Sequence, residues 1–402
     1  MRIAFVLTIA ILFSVVFATP QVKPVPKPIA PPVYPMVPLL TASSAIIMDA
    51  TTGQILFEKD ANTARFPAST TKIMTALLLC ERLTSKEVIS APVGIETVGE
   101  SSLHLRPSEQ ISAEDALYAL MVRSANDVAH AIAVKISGSD VDFAKLMNAR
   151  AVELGCKSTN FFNPHGLNHP YHKTTAFDLA LMTKEALKNP QFADACSTRT
   201  KWIRRSLNQT DLFLKSKNRF LEVPGSIGVK TGYTKPAGHC YVGAMDFGGW
   251  RVITVVLNSQ DWLAETKLLC DWTKLNFENR MVARRGTHVG NSVVKDGEKA
   301  TVSGVLRSDL FVVEPLTLMS QTPVIQLDAE LLAPVIKGQK IGTFTYNKLV
   351  VPILAAESVL AKPPVSYAML GVGGIGGAAA LLILGSFAAR AGSSKRKKSR
   401  RA

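Results

Sequence analysis

Cysteine is scarce and unpatterned. Cys80, Cys156, Cys196, Cys240 and Cys270 are the only five in 402 residues, an odd number, widely spaced and without a Cys-x-x-Cys. No disulfide framework or zinc site is implied, so the folded part has to be held by its core. Charge is also scarce, at 19% against 47% hydrophobic residues, which excludes disorder throughout. Acid is the rarer sign, with 31 Asp plus Glu against 46 Lys plus Arg and a net charge of +15. Seven of those positive charges (Arg390, Lys395, Arg396, Lys397, Lys398, Arg400 and Arg401) crowd into the last thirteen residues with no acid among them, leaving +8 elsewhere. A basic tail is not a basic binding face, so no nucleic-acid partner is expected. No internal repeat is present, and the length suits two domains or three.

Both ends are apolar. Arg2 precedes an apolar run from Ile3 to Phe17, and Val16-Phe17-Ala18 offers a cleavage site before Thr19, so residues 1–18 read as a signal peptide. Near the other end, Tyr367 to Ala389 is 23 residues without a charge. As a helix it would span roughly 34 Å, enough for a bilayer core. The basic residues after it place the C-terminus in the cytoplasm and the bulk of the chain outside. The expectation is a single-pass membrane protein, its main domain on the extracytoplasmic side.

Eight prolines between Pro20 and Pro38 make residues 19–41 an extended spacer. Ala45 to Asp49 reads as a strand and Gln54 to Glu58 as its return. A buried helix opens near Ser69, and further helical runs lie beyond it: Ser112 to Leu120, Asp127 to Ile136, Asp140 to Leu154 and Phe177 to Leu187. Strands return at Ser226 to Lys230, Gly238 to Asp246 and Trp250 to Leu257, before a helix from Glu265 to Phe277. One antiparallel sheet built from both chain ends, with flanking helices and an all-helical insertion, is an α+β domain over residues 42–282. Short alternating runs from 283 to 352 predict a small all-β domain, then a linker over 353–366, the membrane helix over 367–389 and a cytoplasmic tail over 390–402.

Three short motifs can carry chemistry. Ser69-Thr70-Thr71-Lys72 puts a hydroxyl and an amine one helical turn apart, where the amine can take the serine proton if its pKa is lowered. The same spacing recurs at Ser292–Lys295 and Ser394–Lys397, but only the first opens a buried helix. Ser124-Ala125-Asn126 lies between two apolar helices, where hydroxyl and amide could relay a proton and hold a substrate amide. Ser158–Asn160, Ser206–Asn208 and Ser216–Asn218 share its pattern in polar surroundings and read as turns. Lys230-Thr231-Gly232 ends a strand, where the lysine and threonine can bind a carboxylate and the glycine admits a substrate backbone. Taken singly, each has an ordinary reading: a cap, a turn and a decorated edge strand.

Together, in this order, 55 and 106 residues apart, they make the chain resemble the penicillin-binding proteins and serine β-lactamases. It is similar in particular to the D-alanyl-D-alanine carboxypeptidases, through Pro67 to Lys72, Asn163-Pro164-His165-Gly166-Leu167, Lys230 to Thr234 and Ala237-Gly238-His239. The resemblance implies a penicillin-binding fold and removal of terminal D-alanine from peptidoglycan stem pentapeptides. In it Ser69 is the nucleophile, Lys72 the base and Ser124 the proton relay, while Asn126 holds the substrate amide. Lys230 and Thr231 bind the terminal carboxylate, Gly232 leaves room, and the backbone N–H groups of Ser69 and Tyr233 form the oxyanion hole. β-Lactams would acylate Ser69.

The chain departs from the family pattern in having no arginine between Asn258 and Glu265, and in an apparent membrane span where an amphipathic helix is usual. A β-lactamase of class A would need a Glu-x-x-Leu-Asn stretch, which Glu185 to Asn189 only superficially resembles. Endopeptidase or transpeptidase action at the same residues, or a catalytically silent wall-binding scaffold, are the other readings. His165, His169 and His172 have metal-ligand spacing, but Pro164, Gly166 and Pro170 break any helix there; the chemistry needs no cofactor.

Overall fold

A computed structural model describes residues 37–318, 321–347 and 349–363. Residues 1–18, expected to be a signal peptide, most of the proline-rich stretch, the apolar stretch 367–389 and the basic tail lie outside them. Among the described residues no helix is long and apolar enough to cross a membrane. The chain divides into two compact units, one running through Arg284 and taking back Asp309–Thr322, the other comprising Arg285–Ser308 and the residues from Pro323.

The first unit is built on five strands: β1 (Ser44–Asp49), β2 (Ile55–Lys59), β7 (Ser226–Thr234), β8 (Gly238–Asp246) and β9 (Arg251–Ser259). They form an antiparallel sheet ordered β2-β1-β9-β8-β7. Every residue of β1 is buried because both faces of the sheet are covered. Ile46 and Met48 point into the core shared with the long helical segment, whereas Ala45 and Ile47 face the core of the C-terminal helix α7 (Trp262–Asn276). Strand β9 divides the same way, Ile253 and Val255 to one side, Val252 and Val256 to the other.

Between β2 and β7 lie α1 (Lys72–Arg82), α2 (Ala113–Tyr118), α3 (Asn126–Ser137), α4 (Asp140–Glu153), α5 (Ala176–Ala186) and α6 (Pro190–Ser197). Lys72 through Leu79 are all buried, as suits a helix packed on every side. Ser112, Ser139, Thr175, Asn189 and Asp261 start their helices by accepting a backbone N–H in the first turn. Each such cap is worth about 1 kcal/mol.

The insertion is not all-helical. It holds two hairpins, β3 (Val88–Ser90) with β4 (Gln110–Ser112) and β5 (Thr200–Trp202) with β6 (Phe213–Lys215). Three-residue strands are too short to show alternation, so sequence periodicity passes over them.

In the second unit β11 (His288–Lys295), β12 (Thr301–Val305), β14 (Val324–Leu327), β15 (Glu330–Leu332), β16 (Lys340–Tyr346) and β17 (Leu349–Ala355) form a six-stranded sheet, in which β11 and β15 are parallel. Two boundaries differ from expectation. Strand β13 (Leu310–Pro315) pairs with β10 (Phe277–Ala283) inside the first unit, because Val313 packs into the α7 core. The stretch expected to be a linker from 353 is structured: Ile353, Ala355 and Val359 are buried, and bridges continue to Ala361.

Candidate active site

Ser69 stands in a short 3₁₀ turn, Ala68–Thr71, that runs directly into α1. Ala68 has φ +50°, a strained value for a residue with a Cβ. Its carbonyl presses against Gly166, where an added Cβ would lie 1.9 Å from Ala68 O. Only glycine at 166 lets the 163–172 loop close on this turn. The same loop grips α1 elsewhere: Thr75 Oγ1 donates to Pro164 O at 2.5 Å, and His172 Nε2 lies 2.9 Å from Thr71 Oγ1. Because His172 Nδ1 accepts from the Phe162 N–H, its Nε2 carries the hydrogen and donates to Thr71.

Lys72 is fully buried at the start of α1. Its Nζ has three neighbours: Asn126 Oδ1 at 2.6 Å, His165 O at 2.8 Å and Ser69 Oγ at 3.1 Å. Burial first, and then the charge of Lys230, hold its pKa well below the usual lysine value. A neutral amine has two N–H bonds and one lone pair. Asn126 Oδ1 and the His165 carbonyl can only accept, so they take the two hydrogens and the lone pair is left for the Ser69 hydroxyl.

Ser124 is reached through a π-turn, Ala119–Arg123, and sits at φ +66°. Such a turn inserts one residue and so rotates the next side chains to a new direction. Asn126, only 2% exposed, begins α3; its Nδ2 donates to Gly99 O at 2.9 Å. Asn126, expected to hold a substrate amide, also accepts from Lys72 through Oδ1 and gives one Nδ2 hydrogen to the 99–105 loop. That loop is pinned by the Asp127 carboxylate, which accepts from Leu103 and Leu105 N–H.

Strand β7 is the sheet edge and lies against the Ser69 turn. A Cβ at Gly232 would lie 2.9 Å from Ser69 N and 3.1 Å from Pro67 O, so glycine is what allows the strand so near. Lys230 is 2% exposed and donates to Thr231 O at 2.9 Å. Burial pushes its pKa down to about 8.

Ser69, Ser124, Lys230, Thr231, Gly232 and Tyr233 line one cleft of about 370 Å³. All three motifs thus converge, although they are separated in sequence by α2 to α6. Ser216 and Asn218, expected to form an ordinary turn, also line this cleft. So do Arg123, Lys217 and Glu100, which sequence reasoning missed. For Arg123 and Lys217 the one signal is adjacency, Arg123 preceding Ser124 and Lys217 lying inside a discounted Ser-x-Asn; Glu100 has none. No ion-pair partner of Arg123 or Lys217 is found among the described residues, so the cleft carries cations beyond Lys230 despite the missing arginine. Each of the three histidines with metal-ligand spacing has another contact: His172 on Thr71, His165 Nδ1 on the Leu167 N–H, His169 stacked on Phe162.

The family model for D-alanyl-D-alanine carboxypeptidase matches residues 32–261, more than half of the chain. The chain belongs to the D-alanyl-D-alanine carboxypeptidase family. Its reaction is therefore serine-type D-Ala-D-Ala carboxypeptidase chemistry on peptidoglycan. The model for the penicillin-binding protein 5 C-terminal domain matches residues 277–360, the β unit. D-alanyl-D-alanine carboxypeptidase DacF of Bacillus subtilis is 31% identical, over 81% of this chain and 84% of its own. Penicillin binding protein 5 of Haemophilus influenzae superposes with a TM-score of 0.69 at 25% identity, covering 81% of this chain and 99% of that one. A peptidoglycan synthesis regulatory factor (PBP3) of Streptococcus pneumoniae gives 0.70 at 26% identity, covering 80% and all of that chain.

Proposed function

We propose that Ser69 carries the family reaction, with neutral Lys72 as the base that takes its proton. The observation that supports this most is the Lys72 amine, buried, 3.1 Å from Ser69 Oγ, with two acceptors occupying its other directions. Ser69 Oγ attacks the carbonyl of the penultimate D-alanine. The developing oxyanion is held by the Ser69 and Tyr233 backbone N–H groups, and such donors are worth about 3 kcal/mol each. Lys72 then returns the proton, through the Ser124 hydroxyl, to the leaving D-alanine nitrogen as the C–N bond breaks. Water hydrolyses the acyl ester, with Lys72 again taking a proton.

Lys230 and Thr231 bind the terminal carboxylate, and Arg123 and Lys217 raise the positive potential of the cleft. The free edge of β7 lets the stem peptide add as a strand. Asn126 orients Lys72, and its remaining N–H and lone pair are what it has left for substrate. β-Lactams acylate Ser69 by the same route. The unit is anchored in the bacterial membrane by the apolar stretch 367–389, outside the cytoplasm, after removal of residues 1–18.

The experiment is D-alanine release from a stem pentapeptide ending in D-Ala-D-Ala, for the full chain and for Ser69→Ala. Release by wild type that vanishes in the variant is the expected result. Covalent fluorescent-penicillin labelling that persists in Ser69→Ala would sink the nucleophile, and a silent scaffold would label in neither form. Washing membranes with alkaline carbonate tests the anchor: protein that washes off has no spanning helix.

A further inference from the structure

A second groove lies outside the catalytic cleft. It has a volume of about 560 Å³, larger than the cleft, and runs between the β3–β4 hairpin with the start of α2 on one side and the β5–β6 hairpin on the other. Its most unusual residue is Trp202, 69% exposed, whose ring lies 5.1 Å from that of Phe213, itself 48% exposed on the paired strand. An indole so open to water, on a hairpin no core requires it to cover, is a surface built for contact.

The polar walls indicate what it contacts. Gln110, Ser112, Glu114, Asp115, Lys201 and Arg204 line the groove, mixing acceptors with donors and both signs of charge. Lys201 is occupied, 3.6 Å from Glu114 and 3.9 Å from the Tyr118 ring centre. Arg205 is buried against Glu109, with neither side chain exposed. It also donates to Leu103 O, His104 O and Thr210 O, which fixes the floor and the 205–210 loop. Arg204 is exposed and has no partner among the described residues. Two carboxylates in the wall disfavour a polyanion or an anionic lipid surface. A neutral ligand rich in hydroxyl and amide groups, with an apolar C–H face to lay on Trp202, fits all of these features. Those are the properties of a pyranose bearing an acetamido group.

The two sites are joined by one strand. Strand β6 carries Phe213, whose ring packs on the groove residue Trp202, and just beyond the strand's end Ser216 and Lys217 line the catalytic cleft. Three residues of extended chain cover about 10 Å.

We infer that the groove at Trp202 binds the N-acetylated glycan strand of the wall polymer while its stem peptide occupies the catalytic cleft. This rests on the carboxypeptidase reading for the second site, and it makes the preferred substrate the polymer rather than the free peptide. Trp202 is then a residue that positions polymer and takes no part in bond breaking.

The test compares D-alanine release from isolated pentapeptide-rich peptidoglycan and from soluble pentapeptide, using the full chain, Trp202→Ala and Trp202→Phe. Trp202→Ala should lose about tenfold on the polymer, the worth of one aromatic stack, and keep its rate on the soluble peptide. Trp202→Phe should recover most of the polymer activity. Binding to glycan strands stripped of peptide should weaken in parallel. An equal loss on both substrates, or no loss on either, overturns the inference, as would binding of the groove to anionic vesicles in place of stripped glycan. If wild type released D-alanine from neither substrate, the carboxypeptidase assignment would fail, and the stripped-glycan measurement would still decide the groove.

Discussion

Two buried histidines set an acid limit on the first unit. His165 and His172 are 8% and 1% exposed. Burial pushes the pKa of each down to about 3 from an ordinary 6.5, with the Lys72 charge adding to the effect at His165 and His169 adding to it at His172. The hydrogen bonds agree. Nδ1 of His172 accepts from the Phe162 N–H and Nδ1 of His165 from the Leu167 N–H, so a second ring proton would face a donor.

The unfolded chain takes up protons at these two sites before the folded one does. Their stabilisation is therefore complete above about pH 6.5 and is lost progressively as pH falls toward 3. Between pH 7 and 5 each histidine costs about 2 kcal/mol, a large share of a typical 5–15 kcal/mol. His130 acts with the opposite sign: its bond to Asp140 raises its pKa, so it adds stability as pH falls. Single variants separate the contributions.

All four tryptophans, Trp202, Trp250, Trp262 and Trp272, belong to the first unit, so intrinsic fluorescence in urea reports on that unit alone. His165→Asn and His172→Asn should each lose about 2 kcal/mol less than wild type between pH 7 and 5. A variant with the wild-type pH dependence would show that its histidine is not held neutral, and the reasoning from burial would be wrong.

Acylation by penicillin should rise with pH as Lys72 loses its proton, then fall above about 8 as Lys230 loses the charge that attracts the carboxylate; a profile still flat at pH 10 would remove Lys230 from that role. Gly232→Ala would force a Cβ to within 2.9 Å of Ser69 N and 3.1 Å of Thr70 N. Displacing β7 from the nucleophile turn should slow acylation about 100-fold in stopped flow, and an unchanged rate would refute the close-approach argument. Lys72→Ala should cut acylation by at least about 1000-fold with little change in the far-ultraviolet spectrum, whereas a modest loss would point to another base. Arg205→Ala leaves Glu109 buried and unpaired, and should cost about 3–5 kcal/mol in urea unfolding; a loss below about 1 kcal/mol would mean that the carboxylate finds other partners.

Much of the fold and site was legible in order and spacing. Residues such as Ala45 to Asp49 and Gly238 to Asp246 declare strands because a sheet covered on both faces needs continuous apolar runs. Ser69, Ser124 and Lys230 stand out because each motif joins a hydroxyl or amine to a neighbour that can modify it. Glu100, Arg123 and Lys217 do not stand out. Nothing in a lone charge says that it faces a cleft, and Lys217 sits within what reads as a turn. The β5–β6 hairpin is invisible for a related reason, since three residues carry no period.

By itself, then, the amino-acid sequence determined the α+β class, the separate β unit, the three motifs and the family they belong to, since these depend on local pattern and residue type. Tertiary structure decided what those residues are spent on. It turned Asn126 toward Lys72, brought the His165 carbonyl to the same amine, buried Lys230 enough to lower its pKa, and left Trp202 in water beside a polar groove. The two contacts on Lys72 join residues 54 and 93 positions apart. They rest on burial and hydrogen-bond direction, which no local pattern encodes.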